Sequence, residues 1–393
     1  MAFNFDEIID RTNTNSMKYD FTRERGKPDG ILPLWVADMD FRTPPIVVEA
    51  LKKSSEHGIF GYTDVKQAYP DAVKNWFSSR FSWDIEPEWL VKVPGVIYAV
   101  ATAIRGLTEP GDAILIQQPV YSPFGNKIRV NQRKLVNSAV VCRDGVYHID
   151  FDDFERKIRE EQVKMFILCN PHNPVGRVWT QDELERLGDI CLAYGVIMVS
   201  DEIHADFIYP RSRHRVLADL KPGYRDYAII CTSPSKTFNL AGLQIANIFI
   251  ANPDLRRAFR QEMERSGYGQ VNTMGLIACQ AAYTGGQAWL DELLVYLQGN
   301  LDLLRLAVTT RLPGIRLIEP QGTYLAWLDC RELGLSPADL DSLLVSKAGI
   351  WLSEGTQFGQ EGAGFQRINI ACPRCVLKQA LDQLQRALMS DIR

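Results

Sequence analysis

The chain has 393 residues, of which 46% are hydrophobic, and a formal net charge of −4. This length allows two domains with a large core. The slight acidic excess disfavours a nucleic-acid-binding surface, which would show basic clusters. No apolar run reaches the roughly 18 residues of a membrane span, and the first residues lack the basic and apolar regions of a signal peptide. We therefore expect a cytoplasmic protein without membrane or nucleic-acid partners.

The middle of the chain predicts strands that alternate with helices. Apolar runs at 113–116, 165–169, 196–199 and 228–231 are typical of strands buried on both faces. Thr180 and Glu183 form a capping box, which predicts that a helix begins between the second and third of these strands. This alternation indicates an α/β domain with a mostly parallel central sheet flanked by helices.

The last hundred residues have a different pattern. A helical stretch from Leu290 to Leu306 precedes strand-like segments at 323–329 and 366–370. We predict a large domain over residues 46–285 and a smaller α+β domain over residues 286–393. The N-terminal segment, residues 1–45, is predicted to associate with the small domain.

Several polar residues follow the predicted strands, where ligands bind in open α/β sheets. Asp201 is either a helix N-cap or an anion that faces a cationic ligand. Lys236 follows the 228–231 strand among several hydroxyl side chains, and is either a surface lysine or a desolvated, nucleophilic amine. Asn173 lies in a rigid turn and either only shapes it or offers an amide to a ligand. Tyr121 offers an aromatic face for stacking.

Gly95, Val96 and Ile97 open a helix whose free N–H groups and positive dipole suit a phosphate. A glycine-rich dinucleotide fingerprint does not follow the strands, which disfavours a nicotinamide oxidoreductase. Cys372 and Cys375 have a redox or metal spacing, but one such pair without clustered histidines is weak evidence for zinc. We predict no metal.

The order of these residues resembles the fold-type I pyridoxal-phosphate (PLP) enzymes, the aspartate aminotransferase superfamily. The cystathionine β-lyase-like (MalY/PatB-type) branch of C–S lyases is the most similar. The segments that carry this resemblance are 35–41, 57–62, 95–97, 173–176, 200–204, 233–236, 324–329 and 367–369. It implies the aminotransferase type I fold, with a large PLP domain and a small domain.

The resemblance implies a role for each central residue. Lys236 would hold PLP covalently and then move the substrate Cα proton. Asp201 would pair with the pyridinium nitrogen, Asn173 would bond the ring's phenolic oxygen and Tyr121 would stack on the ring. Arg367 would bind the substrate α-carboxylate through two hydrogen bonds.

The same resemblance places the phosphate. Gly95, with the backbone N–H groups of Val96 and Ile97, and the Ser233 side chain would hold it. Tyr62 would reach the phosphate across the interface of a homodimer with shared active sites, and we count it with Lys236 among the catalytic residues.

Two positions depart from the aspartate aminotransferase pattern. His204 stands where those enzymes have a tyrosine, three residues after Asp201, and Gln244 replaces an arginine eight residues after Lys236. We place His204 among the cofactor contacts, and the alternative interpretation is a packed, hydrogen-bonded histidine without a catalytic role.

The predicted reaction is β-elimination from cystathionine or a related cysteine S-conjugate, which yields thiol, pyruvate and ammonia. One alternative is an aminotransferase that uses the same residues. The other is a regulatory protein that binds a protein partner through its surface and has secondary lyase activity.

Overall fold

The computed structural model describes residues 2–391. Its strands are β1 Leu32–Pro33, β2 Leu90–Val93, β3 Ala113–Ile116, β4 Lys134–Asn137, β5 Val141–Arg143, β6 Val146–His148, β7 Met165–Cys169, β8 Ile197–Asp201, β9 Ala228–Thr232, β10 Ala246–Phe249, β11 Arg316–Ile318, β12 Leu325–Asp329, β13 Ile350–Trp351, β14 Ser353–Glu354 and β15 Phe365–Asn369. Its α-helices are α1 Pro45–His57, α2 Ala68–Phe81, α3 Val96–Leu107, α4 Pro123–Val130, α5 Phe151–Glu160, α6 Gln181–Ala193, α7 Leu217–Leu220, α8 Pro234–Thr237, α9 Pro253–Arg265, α10 Thr273–Gly285, α11 Gln287–Arg311, α12 Pro337–Asp341 and α13 Arg374–Asp391.

The central sheet has seven strands in the order β2-β10-β9-β8-β7-β3-β4. β10 runs antiparallel to both of its neighbours, and the remaining pairs are parallel. Successive side chains of a strand point to opposite faces, and both faces of this sheet are apolar. Ile114 and Ile167 pack with α3, α4 and α9 on one face, while Leu115 and Leu168 pack with α5 and α6 on the other. The predicted mostly parallel α/β sheet is confirmed.

The predicted third strand is shifted by one residue at its start. The backbone N–H of Val196 donates to Cys191 O, 2.8 Å away, and so belongs to the turn that ends α6. β8 therefore begins at Ile197 and includes Asp201 as its last residue. Asp201 is thus a strand residue rather than a helix N-cap.

The predicted start of α6 is confirmed. The Glu183 backbone N–H donates to Thr180 Oγ1 over 3.2 Å, and the Glu183 carboxylate accepts from the Thr180 backbone N–H over 2.8 Å. These two reciprocal bonds satisfy donors that the first helical turn leaves free.

A second, antiparallel sheet has the order β11-β12-β15-β14 and belongs to the C-terminal part of the chain. The N-terminal segment joins that part, because β1 pairs in parallel with β13. The 25-residue helix α11 leads into this region just after residue 285. The domain boundaries at residues 45 and 285 stay predictions.

None of the helices within residues 2–391 is long and apolar enough to cross a membrane. No group of three or more His, Cys, Asp or Glu side chains in that range is placed to hold a metal ion. Cys372 is buried and Cys375 is exposed, and both are free thiols.

Candidate active site

A cavity of about 440 Å³ lies at the carboxyl edge of the central sheet. The structure brings eight of the predicted site residues to its wall: Gly95, Val96, Ile97, Tyr121, Asn173, Asp201, His204 and Lys236. The remaining wall is formed by Ala37, Pro94, Tyr98, Cys169, Ile203, Ser235 and Gln244.

The parallel strand register explains why residues distant in sequence meet here. Asp201 pairs across the sheet with Cys169 on β7 and with Cys231 on β9. The residues that follow these neighbouring strands therefore emerge at one edge, and they include Asn173 and Lys236. This placement is the one expected for ligand sites in open α/β sheets.

Lys236 lies on the single-turn helix α8, and its amine points at the N-terminal segment. Nζ donates to Ala37 O over 2.7 Å. Burial lowers the pKa of the Lys236 amine to about 8, although the nearby Asp38 and Asp201 charges oppose the shift. A larger fraction of this amine is therefore neutral and nucleophilic near pH 7 than of an ordinary lysine.

Asp201 is buried at the end of β8. Its Oδ1 accepts from the Ile203 backbone N–H over 3.1 Å, and burial raises the pKa of its carboxyl to about 7. Among residues 2–391, Asp201 forms no ion pair. A buried carboxyl without a cation is costly, and a cationic ligand in the cavity would offset that cost.

Arg367 is a buried cation on β15 whose partners are all neutral. Its guanidinium donates to Asn173 Oδ1 at 2.9 Å, to Trp35 O at 2.8 Å and to Ser353 Oγ at 3.1 Å. It lies 4.7 Å from the centre of the Phe358 ring. No carboxylate in the described part of the chain pairs with it, its Nε has no partner, and burial lowers its pKa to about 10. This arrangement is ready for an anion.

Asn173 connects Arg367 to the cavity. Its carbonyl oxygen accepts from Arg367, and its backbone N–H donates to Cys169 Sγ at 3.4 Å. Since the Oδ1 is engaged, the side-chain NH₂ is the group left to donate to a ligand oxygen.

His204 is a neutral residue of the cavity wall. Burial lowers its pKa to about 3, and the nearby Lys236 and Arg367 charges act in the same direction. Its ring meets that of Tyr324 edge-on at 5.7 Å, and its Nδ1 has no partner within residues 2–391. The sequence left two interpretations of His204 open, a packed histidine and a cofactor contact. Its position is compatible with both.

At the phosphate end of the predicted site, the Ser233 side chain does not line the cavity. The Ser233 hydroxyl donates to Ile245 O at 2.6 Å and accepts from the Ser235 backbone N–H at 3.0 Å, so it caps α8. Ser235 and Gln244 line the cavity instead. Opposite them, helix α3 presents the free N–H groups of its first turn, which begins at Val96.

Tyr62 does not join the other predicted residues within one chain. Its side chain is 98% exposed, and the neighbouring Ile59 and Phe60 are 72% and 61% exposed. Contiguous exposed apolar residues of this kind mark interaction surfaces.

Two residues that line the cavity were not among the site residues predicted from the sequence. Ala37 supplies a backbone carbonyl to Lys236, and a carbonyl leaves no signal in residue type. Ser235 was detectable, because it directly precedes Lys236 among the hydroxyl residues.

The comparisons with known proteins agree with this geometry. A family model for aminotransferase class I and II matches residues 29–384, and the chain belongs to this family. It is 41% identical to cystathionine beta-lyase PatB of Bacillus subtilis (strain 168), over 98% of this chain and 100% of the relative. It is 34% identical to protein MalY of Escherichia coli (strain K12), over 98% of this chain and 99% of that one.

Solved structures give the same result. Cystalysin from Treponema denticola, which contains a pyridoxal 5'-phosphate cofactor, superimposes with a TM-score of 0.96 at 37% identity and full coverage of both chains. The PLP-bound C-S lyase from Staphylococcus hominis superimposes with a TM-score of 0.92 at 35% identity, over 98% of each chain. The predictions of the type I fold, of a PLP-dependent enzyme and of the C–S lyase branch are confirmed.

The residues of the cavity also fit PLP on their own chemistry. Asp201 supplies an unpaired buried carboxyl for the ring nitrogen, and Lys236 supplies an amine of lowered pKa for the aldehyde. The first turn of α3 supplies N–H donors for the phosphate.

Proposed function

We propose that the protein is a PLP-dependent C–S β-lyase that cleaves cystathionine or related cysteine S-conjugates to thiol, pyruvate and ammonia. The observation that carries this proposal is the 41% identity to cystathionine beta-lyase PatB over 98% of this chain, because an aminotransferase would use the same site residues. Arg367, a buried cation without a carboxylate partner in the described chain, suits the carboxylate of an amino acid, and the buried Asp201 carboxyl suits a protonated ring nitrogen.

PLP, when bound, supplies an electron sink that makes the substrate Cα–H bond acidic. In our proposal Arg367 binds the substrate α-carboxylate, and Asn173 donates its amide to the phenolic oxygen of the ring. Asp201 pairs with the ring nitrogen and keeps it protonated. Tyr121 stacks on the ring, and His204 packs neutral beside it.

Lys236 then acts as the proton carrier. Its pKa of about 8 leaves part of the amine neutral and able to take the Cα proton at physiological pH. Ala37 O, which accepts from Nζ, fixes the direction of the amine. Loss of the Cα proton and breakage of the Cβ–S bond would release the thiolate, and water would convert the remaining three-carbon unit to pyruvate and ammonia.

For the phosphate we propose the N–H groups of Val96 and Ile97, next to Gly95, and the Ser235 hydroxyl. Ser235 takes the role predicted for Ser233, because the Ser233 hydroxyl is already bonded to Ile245 O. Gln244 lines the same cavity and, being neutral, adds no charge to this position.

The reaction is tested by assaying L-cystathionine for pyruvate and free thiol, with and without 2-oxoglutarate. Elimination needs no amino acceptor, so we expect equal amounts of pyruvate and thiol in both conditions. Activity that strictly requires 2-oxoglutarate and leaves sulfur attached to the product would identify an aminotransferase and contradict the lyase proposal.

We also propose a homodimer in which Tyr62 of one copy reaches the phosphate in the other. The exposed side chains of Ile59, Phe60 and Tyr62 support such an interface. Lys236→Ala and Tyr62→Phe chains, each of low activity alone, are mixed in equal amounts and allowed to exchange subunits. After exchange, half of the dimers contain one chain of each variant. In each of these mixed dimers one of the two sites has both Lys236 and Tyr62 intact, so about a quarter of the wild-type activity should return. No recovery despite proven exchange would show that each site is built from one chain.

A further inference from the structure

A second cavity of about 250 Å³ adjoins the active site, and the two share Tyr121 in their walls. Its lining is rich in polar side chains: Gln118, Ser122, Arg129, Thr356, Gln357 and Gln360. The catalytic residues do not use this space.

The second cavity lies next to the part of the active site that would bind the substrate carboxylate. The turn Gly355–Phe358 contributes to its wall, and Phe358 on this turn lies 4.7 Å from the Arg367 guanidinium. The Phe358 carbonyl accepts from the Val120 N–H over 2.9 Å, which fixes the turn against the residue before Tyr121. A substrate held by Arg367 and lying on the Tyr121 side therefore has this cavity within reach of its side chain.

Arg129 is the cation of this cavity, and no carboxylate among residues 2–391 pairs with it. Gly125, one helical turn earlier, lies beside it, since an added Cβ there would be 3.4 Å from Arg129 Nη1. Two acids flank the turn at 355–358, and each accepts a hydrogen bond from a neutral side chain: Glu361 from Asn137 Nδ2 at 2.8 Å and Glu354 from Thr356 Oγ1 at 2.7 Å. The Arg129 guanidinium is thus free to bind a carboxylate through two hydrogen bonds.

We propose that this second cavity binds the distal amino-carboxylate group of a cysteine S-conjugate, the end that leaves with the thiol. Arg129 would bind the distal carboxylate, and the amide oxygens of Gln118, Gln357 and Gln360 would accept from the distal ammonium. This inference rests on the proposed lyase function and deepens it. It makes the enzyme selective for conjugates whose leaving thiol is itself an amino acid, as in cystathionine, over S-alkyl cysteines.

The test compares L-cystathionine with S-ethyl-L-cysteine, which has no charged distal group. Both are assayed with the wild type, with Arg129→Ala and with Lys127→Ala, a control that removes the same charge from the same helix outside the cavity. Because Arg129 is exposed and water screens its charge, Arg129→Ala should lower kcat/KM for cystathionine about three- to fivefold, mainly through KM. S-ethyl-L-cysteine should change less than about twofold, and Lys127→Ala should change neither substrate.

A binding measurement gives a readout that does not depend on turnover. In the cofactor-loaded Lys236→Ala protein, which should bind substrate without cleaving it, calorimetry measures the Kd of cystathionine with and without Arg129→Ala. We expect Kd to rise about three- to fivefold for cystathionine and to stay unchanged for S-ethyl-L-cysteine. Equal losses for both ligands, an equal effect of Lys127→Ala, or no effect of Arg129→Ala would each overturn the distal site.

The two proposals fail in different ways. If the wild type releases pyruvate from neither substrate, the lyase proposal is wrong, and the calorimetric comparison still decides whether Arg129 recognises a distal carboxylate. If S-ethyl-L-cysteine is cleaved and Arg129→Ala affects both substrates equally, the lyase proposal stands and the distal site does not.

Discussion

Two groups of buried and half-buried charges meet at the N-terminal segment, and they differ in how the charges are paired. In the first group, Lys18 is fully buried and lies 2.6 Å from Asp40, while Arg11 bonds both Asp38 at 2.9 Å and Asp40 at 2.8 Å. The second group comprises Asp201, Lys236 and Arg367, which form no ion pairs within the described residues. Paired charges of this kind have a structural role in the fold. Unpaired buried charges lower the stability of the fold and therefore indicate a ligand-binding site.

The chain between the two groups connects them. Asn369 Nδ2 donates to Val36 O at 2.8 Å and to Asp38 O at 2.9 Å, on either side of Ala37. Ala37 O in turn accepts from Lys236 Nζ. Lys18 Nζ of the paired group also donates to Asp38 O at 3.1 Å. Asn369 and the paired group therefore hold the backbone around the carbonyl that orients the Lys236 amine.

The largest effect is expected at Lys236. Lys236→Ala should lower turnover by at least about a thousandfold, because one change removes both the covalent anchor and the proton carrier. Pyruvate release measures this, and circular dichroism checks that the variant folds. Normal turnover with added PLP would contradict both roles.

Arg367→Ala should weaken substrate binding much more than cofactor binding. Loss of one partner from a desolvated charge pair costs roughly 2–5 kcal/mol, which corresponds to at least a thirtyfold rise in KM. Steady-state kinetics give KM, and a PLP titration of the apoenzyme gives cofactor affinity. A KM equal to that of the wild type would remove Arg367 from substrate recognition.

The paired group should respond in the opposite sense, with loss of stability. Lys18→Met leaves Asp40 with Arg11 as its remaining cation, and the loss of one partner of a buried group costs about 1–3 kcal/mol. The midpoint of thermal unfolding should therefore fall clearly. Asp201→Asn, measured alongside, should lower activity without lowering the unfolding midpoint of the cofactor-free protein, since it removes an unpaired carboxyl. Equal destabilisation by both changes would contradict the distinction between the groups.

The last expected effect is a pH dependence that Asp201 imposes on the stability of the cofactor-free protein. The pKa of Asp201 is about 7 in the folded protein, against roughly 4 in an unfolded chain. Between pH 4 and pH 7 the Asp201 carboxyl is protonated in the folded protein but ionised in the unfolded chain. Its contribution to the free energy of unfolding is therefore fully present below about pH 4 and is lost as the pH rises to 7. The unfolding midpoint of Asp201→Asn relative to the wild type should therefore increase from pH 4 to pH 7. A difference independent of pH would show that the Asp201 pKa is not raised.

Much of this arrangement could be predicted from sequence, because strands buried on both faces leave long apolar runs. The runs at 113–116 and 165–169 predicted β3 and β7 with their observed bounds. Parallel pairing then brings the residues after each strand to one edge, which explains why Asn173, Asp201 and Lys236 were found.

Other features depend on the folded backbone and leave no trace in residue type. The Ala37 carbonyl that binds Lys236 and the bond that engages the Ser233 hydroxyl are of this kind. Tyr62 could be singled out only by resemblance, since its position relative to a site depends on a second copy of the chain. Arg129 was missed because only the folded chain brings α4 and the turn at 355–358 to the wall of one cavity.

The most direct test of the central claim is to reduce the purified holoenzyme with borohydride and to locate the bound cofactor by peptide mass mapping. Reduction makes a Schiff-base link permanent, so the attached residue can be read from the mass of its peptide. The account predicts the reduced cofactor on Lys236, at the edge of the sheet where Asp201 and Arg367 have no charged partner in the described chain. Cofactor found on another lysine would contradict it.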